Sequence, residues 1–83
     1  MIPRFTLMSS AMPTLKKGEE SIVYRALTPY GQTRSLEELV TRCHDLGFMQ
    51  LRKTPPAESY FWESVLWHLR NLKDAGVVRE EEQ

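Results

Sequence analysis

Arg70 and Asn71 stand side by side in S-V-L-W-H-L-R-N-L-K-D-A-G-V-V, residues 64–78. Both carry side chains that can read a base edge. An arginine guanidinium donates in pairs to guanine, and an asparagine amide can pair with adenine in the major groove. If the segment is helical with Val65 toward the core, about 100° per residue turns Tyr60, Glu63, Ser64, Trp67, Arg70, Asn71 and Asp74 away from it. That face offers two chemistries. Ser64, Arg70 and Asn71 suit base reading. Tyr60, Leu66 and Trp67 instead suit protein contact, because tyrosine, tryptophan and arginine are the types that dominate binding hot spots. Glu63 and Asp74 favour the second reading, since they would confront phosphates, whose attraction for cations supplies most non-specific affinity for DNA.

Other chemistry finds little support. His68 sits at the edge of the core face and reads as a structural histidine. His44 has only Cys43 beside it, and Cys43 points elsewhere, so neither histidine gains a metal-ligand spacing. There is no nucleophile–base pair, no paired-carboxylate site and no glycine-rich phosphate loop. Neither enzymatic activity nor a cofactor is expected. A lone cysteine makes no intramolecular disulfide, and Cys43 falls among apolar neighbours on a helix face.

These residues must be positioned by a short chain. Its 83 residues suit one compact domain, and 41% hydrophobic with 27% charged residues is ordinary for a globular one. Eleven basic and eleven acidic side chains cancel, whereas nucleic-acid binders usually carry a basic excess. The balance is uneven along the chain. Residues 1–56 hold eight basic against five acidic residues, and residues 57–83 hold three against six. The half that carries Arg70 and Asn71 is therefore the acidic one. No apolar run approaches the roughly 20 residues that span a bilayer. Pro3, Arg4 and Thr6 interrupt the start of the chain, which lacks the apolar core of a signal peptide; a cytoplasmic location is expected.

Residues 1–13 contain two prolines and no clear period, which predicts a flexible or loosely docked arm ahead of a domain over 14–83. Ile2, Phe5, Leu7 and Met8 of that arm could fold over Trp67 or serve self-association. A helix is expected from near Thr14, with Leu15, Ile22, Val23, Ala26 and Leu27 on its apolar side. Gly18 weakens its first turn, and Pro29 stops it by forcing residue 28 out of the helical region. The stretch P-Y-G-Q-T-R predicts a turn and a very short strand. Ser35 with Glu38 forms a capping box for a second helix. In that helix Leu36, Leu39, Val40, Cys43 and Leu46 share one arc, while Glu37, Glu38, Thr41, Arg42 and Asp45 face water. Gly47 supplies its left-handed stop. Phe48 to Lys53 could be extended, closed by Pro55 and Pro56. A third helix runs from Glu58 or Ser59 to about Ala75, with Phe61, Trp62, Val65, Leu69 and Leu72 on one face. Val77 and Val78 begin a strand that fades into a solvated tail at Glu80, Glu81 and Glu82.

The order helix, short strand, helix, helix, strand, with S-L-E-E-L-V and then the segment over 64–78, resembles the winged helix-turn-helix of ArsR-like and MarR-like transcription regulators. In those families the recognition helix typically closes on V-x-x-H-L-x-x-L-x-x-A-G-L-V. Val65, His68, Leu69, Leu72, Ala75, Gly76 and Val78 match, and Val77 replaces the leucine. The resemblance covers roughly residues 20–80 and implies a mostly α, three-helix winged-helix-like domain with short strands. It implies a small DNA-binding regulator acting as a dimer, with the third helix in the major groove. Ser64, Arg70 and Asn71 would then read bases, and Arg34, Arg42, Arg52 and Lys53 would hold phosphates. Three departures stand against this. Leu66 and Trp67 occupy positions that are often small or polar. The seven residues after Gly76 leave a reduced or absent wing. The connection from Gly47 to Ala57 is longer than a tight turn. The competing expectation is the same fold used as a protein-interaction module through Tyr60, Leu66 and Trp67.

Overall fold

A computed structural model describes residues 2–8, 18–48 and 58–82. In chain order it comprises β1 (Pro3–Leu7), α1 (Glu19–Leu27), β2 (Thr33–Ser35), α2 (Leu36–Asp45), α3 (Glu58–Asp74) and β3 (Val78–Glu82). The three strands form one antiparallel sheet in the order β2-β1-β3. The architecture is therefore mixed α/β rather than mostly α. No helix among the described residues is long and apolar enough to cross a membrane.

The largest departure from expectation is the start of the chain. Pro3–Leu7 is not a loose arm but the middle strand. It pairs with β2 through Arg4↔Ser35, Phe5↔Arg34 and Thr6↔Thr33, and with β3 from Pro3↔Glu82 to Leu7↔Val78. The period of two explains why the segment was opaque: only Phe5 and Leu7 are large and apolar on the inward face, and both are fully buried. Two such residues are too few to register as a pattern, yet they close the core. Thr6 points the other way, and its hydroxyl lies 2.7 Å from that of Thr33 on β2. With Phe5 and Leu7 in the core, they do not cover Trp67, while Ile2 and Met8 are exposed.

The helices end where their punctuation predicts, but α1 begins at Glu19, after a non-helical Gly18 at φ 94°, rather than near Thr14. Helix α1 ends at Leu27, and Thr28, ahead of Pro29, is extended at ψ 151°. Its buried residues include Ile22, Val23, Ala26 and Leu27. Thr14 and Leu15, and the stretch from Met49 to Lys53 with Pro55 and Pro56, lie outside the described residues. Half of the expected capping box forms on α2: the Glu38 amide donates to Ser35 Oγ at 3.2 Å, while the Glu38 carboxylate pairs with Arg34. Leu39, Val40 and Cys43 are buried, and Leu36 and Leu46 pack at the margin. Helix α3 buries Phe61, Val65, Leu69 and Leu72, with Trp62 and Leu66 partly buried beside them.

The end of α3 shows how glycine fixes the next strand. The Gly76 amide donates to Lys73 O at 2.9 Å and the Val77 amide to Leu72 O at 3.0 Å. This pair of bonds is a Schellman motif, and it needs the left-handed Gly76, at φ 80°. Leu72 and Val77, which bracket the motif, are both buried. The reversal then sends β3 back along β1.

If β1 is the middle strand, Phe5→Ala should cost about 3–5 kcal/mol, as expected for emptying a buried aromatic site. Ile2→Ala, at an exposed position, should stay within about 0.5 kcal/mol. Chemical denaturation of the two variants checks this. Equal, small effects would return the segment to an arm.

Candidate interaction surface on the third helix

Two of the four cations assigned to phosphate contact, Arg34 and Arg42, are held inside the fold. Arg42, expected to face water, is half-buried. Its Nε donates to Ala26 O at 2.8 Å and its terminal nitrogen to Thr28 O at 3.0 Å. Arg34 is 13% exposed at its side chain. It donates to Thr28 O at 3.0 Å and Gln32 Oε1 at 2.7 Å, and it pairs with the Glu38 carboxylate. The cause lies in α1. A helix ends with carbonyls that have no partner in the next turn, and Pro29 offers no amide to meet them. Two guanidiniums converge on Thr28 O, where the negative end of the helix dipole also favours positive charge. Arg52 and Lys53 lie outside the described residues.

Arg70 is about half exposed but also has a carboxylate beside it. Its Nε and the Lys73 ammonium both lie 3.4 Å from Glu80 Oε1. Glu80 is not part of a solvated tail. It occupies the register position opposite Phe5, so it shares the helix-facing side of the sheet, and its side chain is only 8% exposed. Burial pushes its pKa up, but hydrogen bonds and charge from Arg70 and Lys73 outweigh this and hold it below the usual carboxylate range. Glu81, on the other face, pairs with Arg79 at 2.6 Å.

The outward side of α3 carries aromatic, acidic and amide side chains, with Arg70 and Lys73 about half exposed beside them. Tyr60 is 63% exposed and Trp67 62%. The two are seven residues apart, so they lie two turns apart along one side of the helix, about 10 Å in rise. Glu63, Asn71 and Asp74 are exposed and Ser64 is half-buried. Two open hollows flank Trp67. One, of about 330 Å³, is lined by Glu19, Tyr60, Glu63, Ser64, Trp67 and His68. The other, of about 380 Å³, is lined by Glu63, Leu66, Trp67, Arg70, Asn71 and Asp74. The base-reading candidates Arg70 and Asn71 thus share a face with the protein-contact candidates Tyr60 and Trp67, while Ser64 is half-buried at one margin and Leu66 packs against the core at the other.

His68 supports this face from beneath. Its Nε2 lies 3.5 Å from Glu19 Oε1 on α1. Its ring meets Phe48 and Trp67 edge-on, at centroid distances of 6.2 and 5.0 Å. The Trp67 indole is therefore backed by a packed ring although its outer side is bare. His44 is exposed beside Asp45, and the Cys43 thiol is pushed up to about 12 by burial. No group of three or more His, Cys, Asp or Glu among the described residues could hold a metal ion.

Glu80 and Glu19 are the residues of this surface that sequence reasoning missed. For Glu80 a signal exists: Val78 and Glu80 share one side of a strand, and Arg70 and Lys73 share one side of a helix joined to it by a tight reversal. Only the pairing with β1 makes that side the inward one. Because its pKa is lowered on folding, Glu80 should stabilise the fold above the unfolded carboxylate value, about 4.3. That contribution should be lost as pH falls through the lower folded value. Glu80→Gln should therefore cost about 0.5–1 kcal/mol near neutral pH. The gap to the wild type should close in acid, as thermal unfolding across pH would show. Arg42→Ala should cost about 1–3 kcal/mol, because a buried acceptor loses its donor. An unchanged denaturation midpoint for that variant would mean the guanidinium is free for other partners.

Comparison of this chain with known protein families, with curated proteins and with solved structures gives no match.

Proposed function

We propose that this chain is a winged-helix-like protein-interaction module that binds through the outer face of α3, centred on Trp67. The fold-level support is the element order from α1 to β3, with an antiparallel partner beside β3. In a winged helix that partner is the returning strand of the wing hairpin; here β1 fills the place from the other end of the chain. The observation that carries the function is the outward face of α3 itself. Two exposed aromatic side chains stand on it, while Arg70 and Lys73 beside them both lie 3.4 Å from the Glu80 carboxylate.

Reading DNA through the same helix is the second possibility. Asn71 is exposed on that face, and the helix order suits insertion into a major groove. Against it, Arg34 and Arg42 serve the end of α1, and Glu63 and Asp74 would meet phosphates. A dimer built by pairing through β1 is also disfavoured, because both edges of that strand are occupied by β2 and β3.

Following backbone amide signals while mixed-sequence duplex DNA is added, first at low and then at moderate salt, separates the two readings. The interaction module predicts no saturable shifts in residues 60–71. Selection from a random peptide library should enrich ligands on the wild type that are lost on Trp67→Ala. That variant should unfold within about 0.5 kcal/mol of the wild type, since the indole is mostly exposed. Saturable DNA shifts that fade as salt rises would establish the DNA reading instead.

A further inference from the structure

The hollow between Tyr60 and Trp67 has a composition that selects for charge. Glu63 is three residues after Tyr60 and four before Trp67, so its carboxylate rises from the same side of the helix between the two rings. Glu19, at the first turn of α1, lines the opposite wall. The neighbouring hollow repeats the pattern: Glu63 and Trp67 again, with Asp74 at its far end and Arg70 held by Glu80. Around Trp67 the structure therefore gathers three carboxylates, two from α3 and one from α1. Arg70, the cation among the lining residues, shares the Glu80 carboxylate with Lys73 and stays about half exposed.

Aromatic faces flanked by carboxylates attract organic cations. The negative face of a tryptophan or tyrosine ring draws a guanidinium or ammonium, and a nearby carboxylate adds a hydrogen-bonded ion pair. The same surface repels phosphates and acidic peptides. A metal ion is not the expected occupant, since no cluster of three ligands lies among the described residues. Both hollows are open and lie along the helix on either side of Trp67, which suits an extended segment with charged side chains.

Resting on the interaction reading above, we propose that this face binds an extended basic segment of a partner protein, with an arginine or lysine side chain laid between Tyr60 and Trp67 against Glu63. Trp67 supplies the stacking surface and Glu63 the charge that distinguishes cations from other side chains. Glu19, already 3.5 Å from His68, shapes the wall and adds to the negative potential.

The test uses the full chain and three synthetic peptides of equal length. One alternates arginine and glycine, one glutamate and glycine, and one leucine and glycine. Amide shifts are followed for the wild type, Glu63→Gln and Trp67→Ala, with circular dichroism confirming that each variant is folded. The arginine peptide should give saturable shifts in residues 60–71. Its affinity should fall at least tenfold in Glu63→Gln and as salt is raised, and binding should vanish in Trp67→Ala. The glutamate peptide should not bind. If the leucine peptide binds in a Trp67-dependent way and the arginine peptide does not, the basic-segment proposal fails while the interaction reading stands. Equal binding of arginine and glutamate peptides also overturns it. Saturable binding of duplex DNA at residues 60–71 would overturn both. A concentration-dependent dimer dissolved by Trp67→Ala would place a second copy on the face and overturn the basic-segment proposal.

Discussion

Everything in this fold depends on a five-residue strand being in the middle of the sheet. Strands β2 and β3 are not paired with each other; among the described residues each pairs only with β1. Remove β1 and neither outer strand has a ladder. The inward side chains of β1 also close the core on which three helices rest. The consequences reach the surface. Pairing with β1 fixes the register of β3, and that register turns Glu80 inward to meet Arg70 and Lys73. The charge state of the outer face of α3 is thus set by which strand lies next to β3, rather than by α3 alone.

The second constraint is the need to satisfy the carbonyls at the end of α1. Proline ends that helix and cannot donate, so the donors must come from elsewhere. Arg42 reaches across from α2 and Arg34 from β2, and both terminate on Thr28 O. This joins α1, β2 and α2 at one polar knot, and it consumes cations that a charge tally would count as surface. Together with the Glu80 pair, it explains how a neutral chain presents a locally acidic face. Arg34 and Arg42 are used as internal donors, and Arg70 and Lys73 share one carboxylate, while Glu63 and Asp74 remain exposed.

Local rules made much of this legible from sequence. The Ser35 cap, the arc from Leu36 to Leu46, the proline stop of α1, the short strand after Y-G-Q and the glycine reversal at Gly76 each follow from the residues within one or two turns. So does the inward face of α3, from Phe61 to Leu72. What stayed hidden depends on pairing between distant segments. Phe5 and Leu7 offer too short an alternation to announce a strand. Three consecutive glutamates look like a solvated tail until β1 supplies a partner. Arg34 and Arg42 look like surface cations until the unpaired carbonyls opposite them are seen. The candidate site was legible as a list, since helical spacing alone places Tyr60, Trp67, Arg70 and Asn71 on one outward face. The pairing of Arg70 was not, because that depends on Glu80.

Hydrogen exchange of the backbone amides of Phe5, Thr6 and Leu7 under native conditions tests this dependence directly. A middle strand whose loss dismantles the sheet can release its amides only with the cooperative core. The account predicts exchange as slow as that of the Val65 and Leu69 amides of α3, close to the limit set by global unfolding. Exchange as fast as in an unstructured peptide, with α3 still protected, would contradict it. The inward placement of Glu80 and the reading of the α3 face would then lose their foundation.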